Sequence, residues 1–367
     1  IVGTRPEIIR LSEVIRKCRI YFDTLLVHTG QNYDYTLNEI FFKDLSLDNP
    51  DIYLNAVGKD LGETMGNIIA KSYEVMKETQ PDALLVLGDT NSCLSAISAK
   101  RLHIPLFHME AGNRCWDWNV SEMINRKIVD HISDINMPYT EHSRRYLISE
   151  GIDGKTIFVT GSPMREVLRD HMDDILKSDV LERLGLKKRQ YILVSAQREK
   201  NSDIEDKFMD LMIAINHIAK TYNMPVIYST HPRSKKFIEM RDFKFHPLVQ
   251  SMKPFGFLDY NMLQMNAYCV LSDSGTLSEE SAMLGFPGVL LRTSTERPEV
   301  LDKGSVVIGG IRGEDVERAT RLAVSMYDNN EEVVLSPDYN DTNVSVKVVK
   351  LIQSYTDIVN RTVWLKR

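Results

Sequence analysis

The chain has 367 residues, which is too long for one typical hydrophobic core and suits two domains of ordinary size. Hydrophobic residues make up 43% and charged residues 26%, the proportions of a globular protein. The formal net charge of −6 argues against a general affinity for nucleic acid, although it is compatible with a local basic pocket for phosphate.

The cysteines predict neither a zinc site nor a disulfide framework, because they are far apart and include no Cys-x-x-Cys pair: Cys18, Cys93, Cys115 and Cys269. We therefore expect reduced thiols in a cytoplasmic protein without a metal. No run of about 18 apolar residues and no basic-then-apolar leader is visible, so we expect neither a membrane span nor a signal peptide. The opening residues 1–5 resemble the end of a strand entering a loop, so we expect the natural chain to begin earlier.

Strands and helices alternate along the first half of the chain. The pattern predicts helices at about 7–17, 35–45, 61–78 and 92–102, and strands at 24–28, 83–87 and 104–109. Alternation at this spacing is typical of βαβ units and of a doubly wound parallel sheet.

The pattern returns after a charged, helical stretch at about 165–188. The second half predicts strands at 191–195, 225–229, 267–271 and 288–291, with a helix at 204–221 behind the first of them. We therefore predict an α/β fold of two Rossmann-like domains that face each other across a cleft.

Three carboxylates stand where a parallel sheet would open such a cleft. Asp89 and Glu110 each follow a buried apolar run, and Glu122 precedes Arg126 by four residues. Ligands of open α/β sheets bind outside the carboxyl ends of strands, so acids at these positions suit catalysis. Each residue also has a plainer explanation: Asp89 as a helix cap, Glu110 as a turn residue, and Glu122 as the i,i+4 partner of Arg126.

In the second half, Ser274 and Gly275 lie between a strand and a helix, where backbone N–H groups can bind an anion. Alternatively, Ser274 caps the helix and Gly275 only makes the turn. Arg233 and Arg297 are compatible with a diphosphate clamp, or with surface ion pairs. Glu280 could bind the two hydroxyl groups of a ribose, or its carboxylate could simply interact favourably with the helix dipole or a lysine. These residues together favour a nucleotide diphosphate as the ligand of this half.

Seven short motifs follow one another along the chain: Gly3-Thr4-Arg5-Pro6-Glu7, His28-Thr29-Gly30-Gln31, Gly88-Asp89-Thr90, Glu110-Ala111-Gly112, Asn125-Arg126, Ser272-Asp273-Ser274-Gly275 and Glu296-Arg297-Pro298-Glu299. Their order resembles that of the non-hydrolysing UDP-N-acetylglucosamine 2-epimerase family over essentially the whole chain. Finer features, such as residues 28–35, 110–115 and 256–260, look most like the branch that makes UDP-N-acetyl-L-fucosamine. That branch inverts C2 of UDP-2-acetamido-2,6-dideoxy-L-talose.

The resemblance implies a glycosyltransferase-B-type fold and a mechanism without cofactor or metal. A base removes the C2 proton, UDP leaves to give a 2-acetamidoglycal, and UDP adds back while a proton reaches the opposite face. The resemblance also implies domains of 1–168 plus about 353–367 on the sugar side, and 169–352 on the UDP side. It implies a C-terminal helix at about 345–359 that returns to the first domain, a homodimer, and a UDP-N-acetylated amino sugar as the substrate.

The resemblance also implies which residues of this sequence occupy the functional positions of the family. Asp89, Glu110 and Glu122 match the family's catalytic acids. The binding positions are matched by Arg5, Arg126, His231, Tyr260, Ser274, Gly275, Glu280 and Arg297. For Tyr260 the implied role is stacking on uracil; for His231 a structural histidine is an equal alternative.

Two departures from the family pattern bear on activity. Gln197 stands where the family has a functional histidine, and glutamine can neither carry a proton nor a positive charge at neutral pH. Met123 follows Glu122 where the family usually has a second glutamate. The alternatives are therefore an active 2-epimerase, either of the fucosamine branch or for UDP-N-acetylglucosamine, a weakly active UDP-sugar-binding homologue, and a glycosyltransferase of the same fold.

Overall fold

The computed structural model describes residues 1–30, 35–116, 118, 120, 122–196, 204–293 and 295–366. The chain divides into two units. The first comprises Ile1–Asp170 and Pro337–Arg367, and the second comprises His171–Ser336. Within the described ranges, no helix has the length and apolar character needed to cross a membrane.

Short, buried apolar runs form the strands of the first unit, and their pairings are parallel. The strands are β1 (Val27–His28), β2 (Ile52–Tyr53), β3 (Leu84–Leu87), β4 (Leu106–Met109) and β5 (Ile135–Met137). β1 pairs with β2, while β3, β4 and β5 form a sheet in that order. The register places Leu87 opposite Met109, so β3 and β4 end side by side.

Helices alternate with these strands, and the first four lie near the positions that the sequence pattern predicts. They are α1 (Arg5–Tyr21), α2 (Tyr35–Asp44), α3 (Leu61–Thr79), α4 (Ser95–Arg101), α5 (Glu122–Ile132) and α6 (Glu141–Ser149). α3 begins where Asp60 accepts a 2.8 Å hydrogen bond from the backbone N–H of Glu63. The helix predicted at 92–102 is a 3₁₀ turn, Asn91–Leu94, that continues into α4.

Helix α7 (Met164–Leu176) leads into the second unit, which has the strand order of a dinucleotide-binding Rossmann domain. Its strands are β6 (Ile192–Ser195), β7 (Val226–Ser229), β8 (Val249–Met252), β9 (Cys269–Ser272), β10 (Gly288–Leu290) and β11 (Val307–Ile308). They lie in the order β11-β10-β9-β6-β7-β8, with parallel pairings. The order reverses between β6 and β9, where ligands of such sheets bind.

The second unit's helices pack on this sheet. They are α8 (Val180–Arg183), α9 (Ile204–Tyr222), α10 (Pro232–Met240), α11 (Phe257–Asn266), α12 (Leu277–Leu284), α13 (Pro298–Asp302) and α14 (Gly313–Asp328). Apolar side chains of β6, α9 and α14, among them Val194, Ile215 and Val324, share one buried core.

The chain returns to the first unit at Pro337, earlier than the predicted position of about 353. The backbone N–H of Ser162 donates to the carbonyl of Asp338 at 3.1 Å. The last helix, α15 (Val344–Thr362), starts where Glu166 accepts a 2.9 Å hydrogen bond from the N–H of Ser345. These contacts attach the whole returning segment, so the unit contains all of α15 and not only its end.

Candidate active site

Asp89, Glu110 and Glu122 lie at the carboxyl edge of the sheet formed by β3, β4 and β5. Asp89 follows β3 after Gly88, whose φ of +71° suits a glycine. Glu110 follows β4 directly and has a φ of +60°, which is uncommon for a residue with a side chain. A Cβ built on Gly88 would lie 3.6 Å from Oε2 of Glu110, so the carboxylate of Glu110 lies close to the Gly88 backbone. Glu122 is the first residue of α5.

Two arginines pair with the first two acids. Nε of Arg126, on α5, donates to Oδ2 of Asp89 at 2.5 Å. Nη1 of Arg10, on α1, forms an ion pair with Oε2 of Glu110, and both side chains are buried. Asn125 adds a 2.9 Å hydrogen bond from Nδ2 to the carbonyl of Asp89. Asp89 thus contacts α5, and the residue at the N-cap of the following 3₁₀ turn is Thr90, not Asp89.

Glu7 joins the loop before α1 to the loop that carries Asp89. Its Oε2 accepts hydrogen bonds from the N–H of Gly3 at 3.2 Å, from the hydroxyl of Thr4 at 2.7 Å and from that of Thr90 at 3.0 Å. Ser92 donates to Oε1. Burial raises the pKa of Glu7, although these hydrogen bonds act in the opposite direction. The neighbouring Arg5 is the first residue of α1, and its guanidinium lies 5.5 Å from the ring centre of Phe41.

Sequence reasoning assigned no role to Arg10 or Glu7. Glu7 belongs to the motif Gly3-Thr4-Arg5-Pro6-Glu7, but the sequence does not indicate which groups it hydrogen-bonds. The sequence gives no indication of the role of Arg10, because Arg10 and its partner Glu110 are 100 residues apart in the chain. Met123, noted only as a lost charge, is 1% exposed, and its Sδ lies 3.6 Å from Nη1 of Arg126.

In the second unit, Tyr260 and Ser274 lie at the point where the strand order reverses. Ser195 and Ser272 end β6 and β9 as a matched pair, and the hydroxyl of Tyr260 lies close to both side chains. Burial, followed by the negative charge of Glu280, raises the pKa of Tyr260. Glu280, on α12, accepts a 2.8 Å hydrogen bond from Nε2 of Gln264. The structure therefore brings Tyr260 and Glu280 together.

The loop before α12 partly fits the alternative in which Ser274 and Gly275 have only structural roles in the turn. The hydroxyl of Ser274 accepts a 3.3 Å hydrogen bond from the N–H of Thr276, as a turn-forming serine does. A Cβ on Gly275 would lie 2.8 Å from Oε1 of Glu296 and 3.3 Å from Nε of Arg297. The close approach that requires glycine here is therefore made by these side chains.

Arg297 is buried, 2% exposed, and its Nη1 forms an ion pair with Glu279 on α12. It is thus neither a surface ion pair nor an exposed cation, and it connects the 295–297 loop to the helix behind Ser274. His231 immediately precedes α10 and is half-buried. Arg233 lies within α10, and its side chain is not among the described parts. Gln197 lies outside the described residues.

These features define the structural class of the protein. Two Rossmann-like units, with acids at one strand edge and a nucleotide-type switch point in the other sheet, make a glycosyltransferase-B-type α/β protein, as predicted. Their arrangement across a cleft stays a prediction.

The chain belongs to the UDP-N-acetylglucosamine 2-epimerase family, whose model matches residues 16–353. A UDP-N-acetylglucosamine 2-epimerase from Rickettsia bellii is 46% identical, with a TM-score of 0.92 over 100% of this chain and 98% of that one. The Methanocaldococcus jannaschii UDP-GlcNAc 2-epimerase, solved with UDP-GlcNAc and UDP, is 30% identical, with a TM-score of 0.88 over 96% of this chain and 98% of that one.

A relative with a different printed activity is the UDP-2,3-diacetamido-2,3-dideoxy-D-glucuronate 2-epimerase of Pseudomonas aeruginosa. It is 32% identical over 90% of this chain and 94% of its own length. The predicted membership of the epimerase family is confirmed, and so is the class of enzyme. The fucosamine branch stays a prediction.

Proposed function

We propose that this protein inverts C2 of a UDP-2-acetamido sugar by eliminating UDP to a 2-acetamidoglycal and adding it back. The observation that carries the proposal is the set of three acids, Asp89, Glu110 and Glu122, gathered at one sheet edge in a chain of this family. The complex of a 30% identical relative with UDP-GlcNAc and UDP supports the same class of substrate.

The chemistry accounts for the need of several acids. The C2 proton is not activated by a carbonyl, so its removal requires a base and an assisted departure of UDP. Inversion also requires a proton donor on the opposite face. We assign these proton transfers to Asp89, Glu110 and Glu122, with Arg126 and Arg10 balancing the charge of the first two.

We assign UDP to the second unit. Tyr260 would stack on uracil, Glu280 would bind ribose hydroxyls, and the N–H groups near Ser274 and Gly275 would bind the diphosphate. Arg5, His231 and Gln197 are proposed to complete the binding site. Arg297 would support the loop that contains Ser274 and Gly275 without touching the diphosphate, since it is buried in an ion pair with Glu279.

For the sugar, we propose the 6-deoxy substrate of the fucosamine branch, within the synthesis of surface polysaccharide precursors. The motifs at residues 28–35, 110–115 and 256–260 support this choice. UDP-N-acetylglucosamine is the second candidate, because relatives that act on it match nearly the whole chain. The oligomer we propose is a homodimer, on the family resemblance.

The test is incubation in D2O with three sugars: UDP-2-acetamido-2,6-dideoxy-L-talose, UDP-N-acetylglucosamine and UDP-2,3-diacetamido-2,3-dideoxy-D-glucuronate. We expect NMR to detect deuterium at C2 with inverted configuration, fastest for the 6-deoxy sugar. Glu110→Gln, which keeps the shape of the side chain, should abolish the exchange. Absence of C2 exchange with every sugar would refute an epimerase and leave a UDP-sugar-binding homologue or a glycosyltransferase.

The rate of such an enzyme is proposed to depend on Gln197. If a missing imidazole limits the departure of UDP, Gln197→His should raise the exchange rate, because histidine can carry the positive charge that glutamine lacks. An unchanged rate would mean that another group has taken this role.

A further inference from the structure

His108 lies on β4 beneath the two loops that carry Asp89 and Glu110, and its side chain is 1% exposed. Nε2 is 2.8 Å from the carbonyl oxygen of Gly88, the residue before Asp89. Nδ1 is 2.9 Å from Oδ1 of Asp130, on α5. The Gly88 carbonyl accepts hydrogen bonds, so Nε2 can donate to it, while Nδ1 forms a close ion-pair contact with the carboxylate of Asp130. The His108 ring therefore bridges the Gly88 backbone and Asp130.

Asp130 extends this contact to the second loop. Its two carboxylate oxygens each lie 3.2 Å from the backbone N–H of Gly112, two residues after Glu110. Gly112 has a φ of +81°, and a Cβ there would lie 2.5 Å from the carbonyl of Ser143, so the loop has no room to shift toward α6. A continuous path thus runs from Gly88 through His108 and Asp130 to Gly112.

Charged groups further out fix Asp130. Nη1 of Arg114 lies 2.8 Å from Oδ2 of Asp130, and both side chains are 0% exposed. The same guanidinium binds both carboxylate oxygens of Glu150, at 2.9 Å and 2.7 Å. Lys127 also contacts Glu150, at 2.9 Å. Asp130 therefore cannot turn to follow a displaced loop without breaking a buried ion pair.

We infer that His108 is a positioning residue that holds the backbone of Asp89 at a fixed separation from that of Glu110. The inference rests on the proposed function, in which these two acids handle protons. Proton transfer depends steeply on donor and acceptor spacing, so a small displacement of one loop against the other slows the chemistry. Burial lowers the pKa of His108, but Asp130 outweighs this effect and the pKa is raised, which strengthens the contact between the two side chains.

The variant His108→Asn tests this separation. Asparagine can donate to Asp130 from the position of Nδ1, but it ends short of Gly88. We expect kcat to fall about 10- to 100-fold, since a displacement of about 1 Å can cost that much. KM and the affinity for UDP should stay within about twofold, because UDP is assigned to the other unit. The kinetic isotope effect of C2 deuterium should rise, because proton transfer becomes slower relative to the other steps.

The matched control is His217→Asn in the second unit, where Nε2 of His217 lies 2.6 Å from Oε2 of Glu317. It also removes a histidine from a carboxylate, but far from the acids in sequence and in the other unit, and it should leave all three quantities unchanged. A general loss of folded protein in His108→Asn would lower kcat without changing the isotope effect. That result would overturn the inference.

Backbone hydrogen exchange gives a readout that needs no turnover. In His108→Asn, peptides covering 86–94 and 108–116 should both exchange at least about tenfold faster, while His217→Asn leaves them unchanged. If the wild-type protein epimerises no sugar, the proposed function fails, and this exchange alone decides whether His108 connects the loops. Equal exchange in both variants would overturn the inference.

Discussion

Arg10 and Glu110 form a buried ion pair although they are 100 positions apart in the sequence. The two side chains are 10% and 8% exposed, so water does little to stabilise either charge alone. A buried pair of this kind contributes little to net stability, but removing one partner leaves an uncompensated charge. At the residue scale, Arg10 therefore keeps Glu110 compatible with its buried position.

The expected consequence is measurable in the variant Arg10→Met. We predict a loss of about 3 to 5 kcal/mol in the free energy of unfolding, measured with urea. The double variant Arg10→Met with Glu110→Gln should recover much of this loss, because no buried charge remains. Losses that simply add would show that the arginine acts through packing and not through Glu110.

The positions of site residues followed from the sequence where a strand end precedes them, whereas their roles stay predictions. Asp89 and Glu110 were placed correctly at the edge, because Leu84–Leu87 is an apolar run and Leu106–Met109 is apolar apart from His108. Their partners were not predictable, since Arg10, Arg126 and His108 reach them through side-chain orientation in three dimensions. Gly275 was expected to admit a phosphate, whereas Glu296 and Arg297 account for its lack of a side chain.

At the scale of elements, long buried strands and amphipathic helices were predicted within a few residues. Four of the described strands were missed for a physical reason: β8 has exposed or half-exposed residues throughout, and β2, β5 and β11 have only two or three residues each. Such segments are strands because a neighbouring strand pairs with them, and a local pattern carries no sign of that pairing.

The contact between β4 and α5, made by His108 and Asp130, predicts a pH dependence of stability. Burial disfavours the imidazolium, but Asp130 and, more weakly, the Gly88 carbonyl and Asp89 outweigh it, so the pKa of His108 is raised from 6.5. Burial likewise disfavours the carboxylate of Asp130, but His108 and Arg114 outweigh it, so its pKa is lowered from 3.8.

A histidine with a raised pKa stabilises the fold fully below its unfolded pKa, and the effect disappears as pH rises through the folded pKa. An aspartate with a lowered pKa stabilises the fold above 3.8, and the effect disappears as pH falls through its folded pKa. The difference in Tm between wild type and His108→Asn should therefore be larger at pH 6 than at pH 9. A difference that is equal or larger at pH 9 would mean that His108 is neutral in the folded protein.

At the scale of the whole molecule, the two units carry different kinds of side chain. The acids paired with arginine lie at the edge of β3 and β4, whereas the hydroxyl groups of Tyr260, Ser195 and Ser272 meet at the switch point of the second sheet. The dinucleotide-type strand order of that sheet was not predicted in detail, because strand order depends on which strands pair across the chain.

This difference predicts that nucleotide binding and proton transfer can be separated by mutation. Glu280→Gln should weaken UDP about 10- to 100-fold in calorimetric titrations, because a charge-assisted hydrogen bond to ribose contributes about 1.5 to 3 kcal/mol. Glu110→Gln should leave the Kd for UDP within about twofold and still abolish deuterium exchange at C2. Circular dichroism and Tm would establish that both variants are folded. If Glu110→Gln weakened UDP as strongly as Glu280→Gln, the assignment of UDP mainly to the second unit would be wrong, and the acids at the strand edge would have to be counted among the groups that bind the nucleotide.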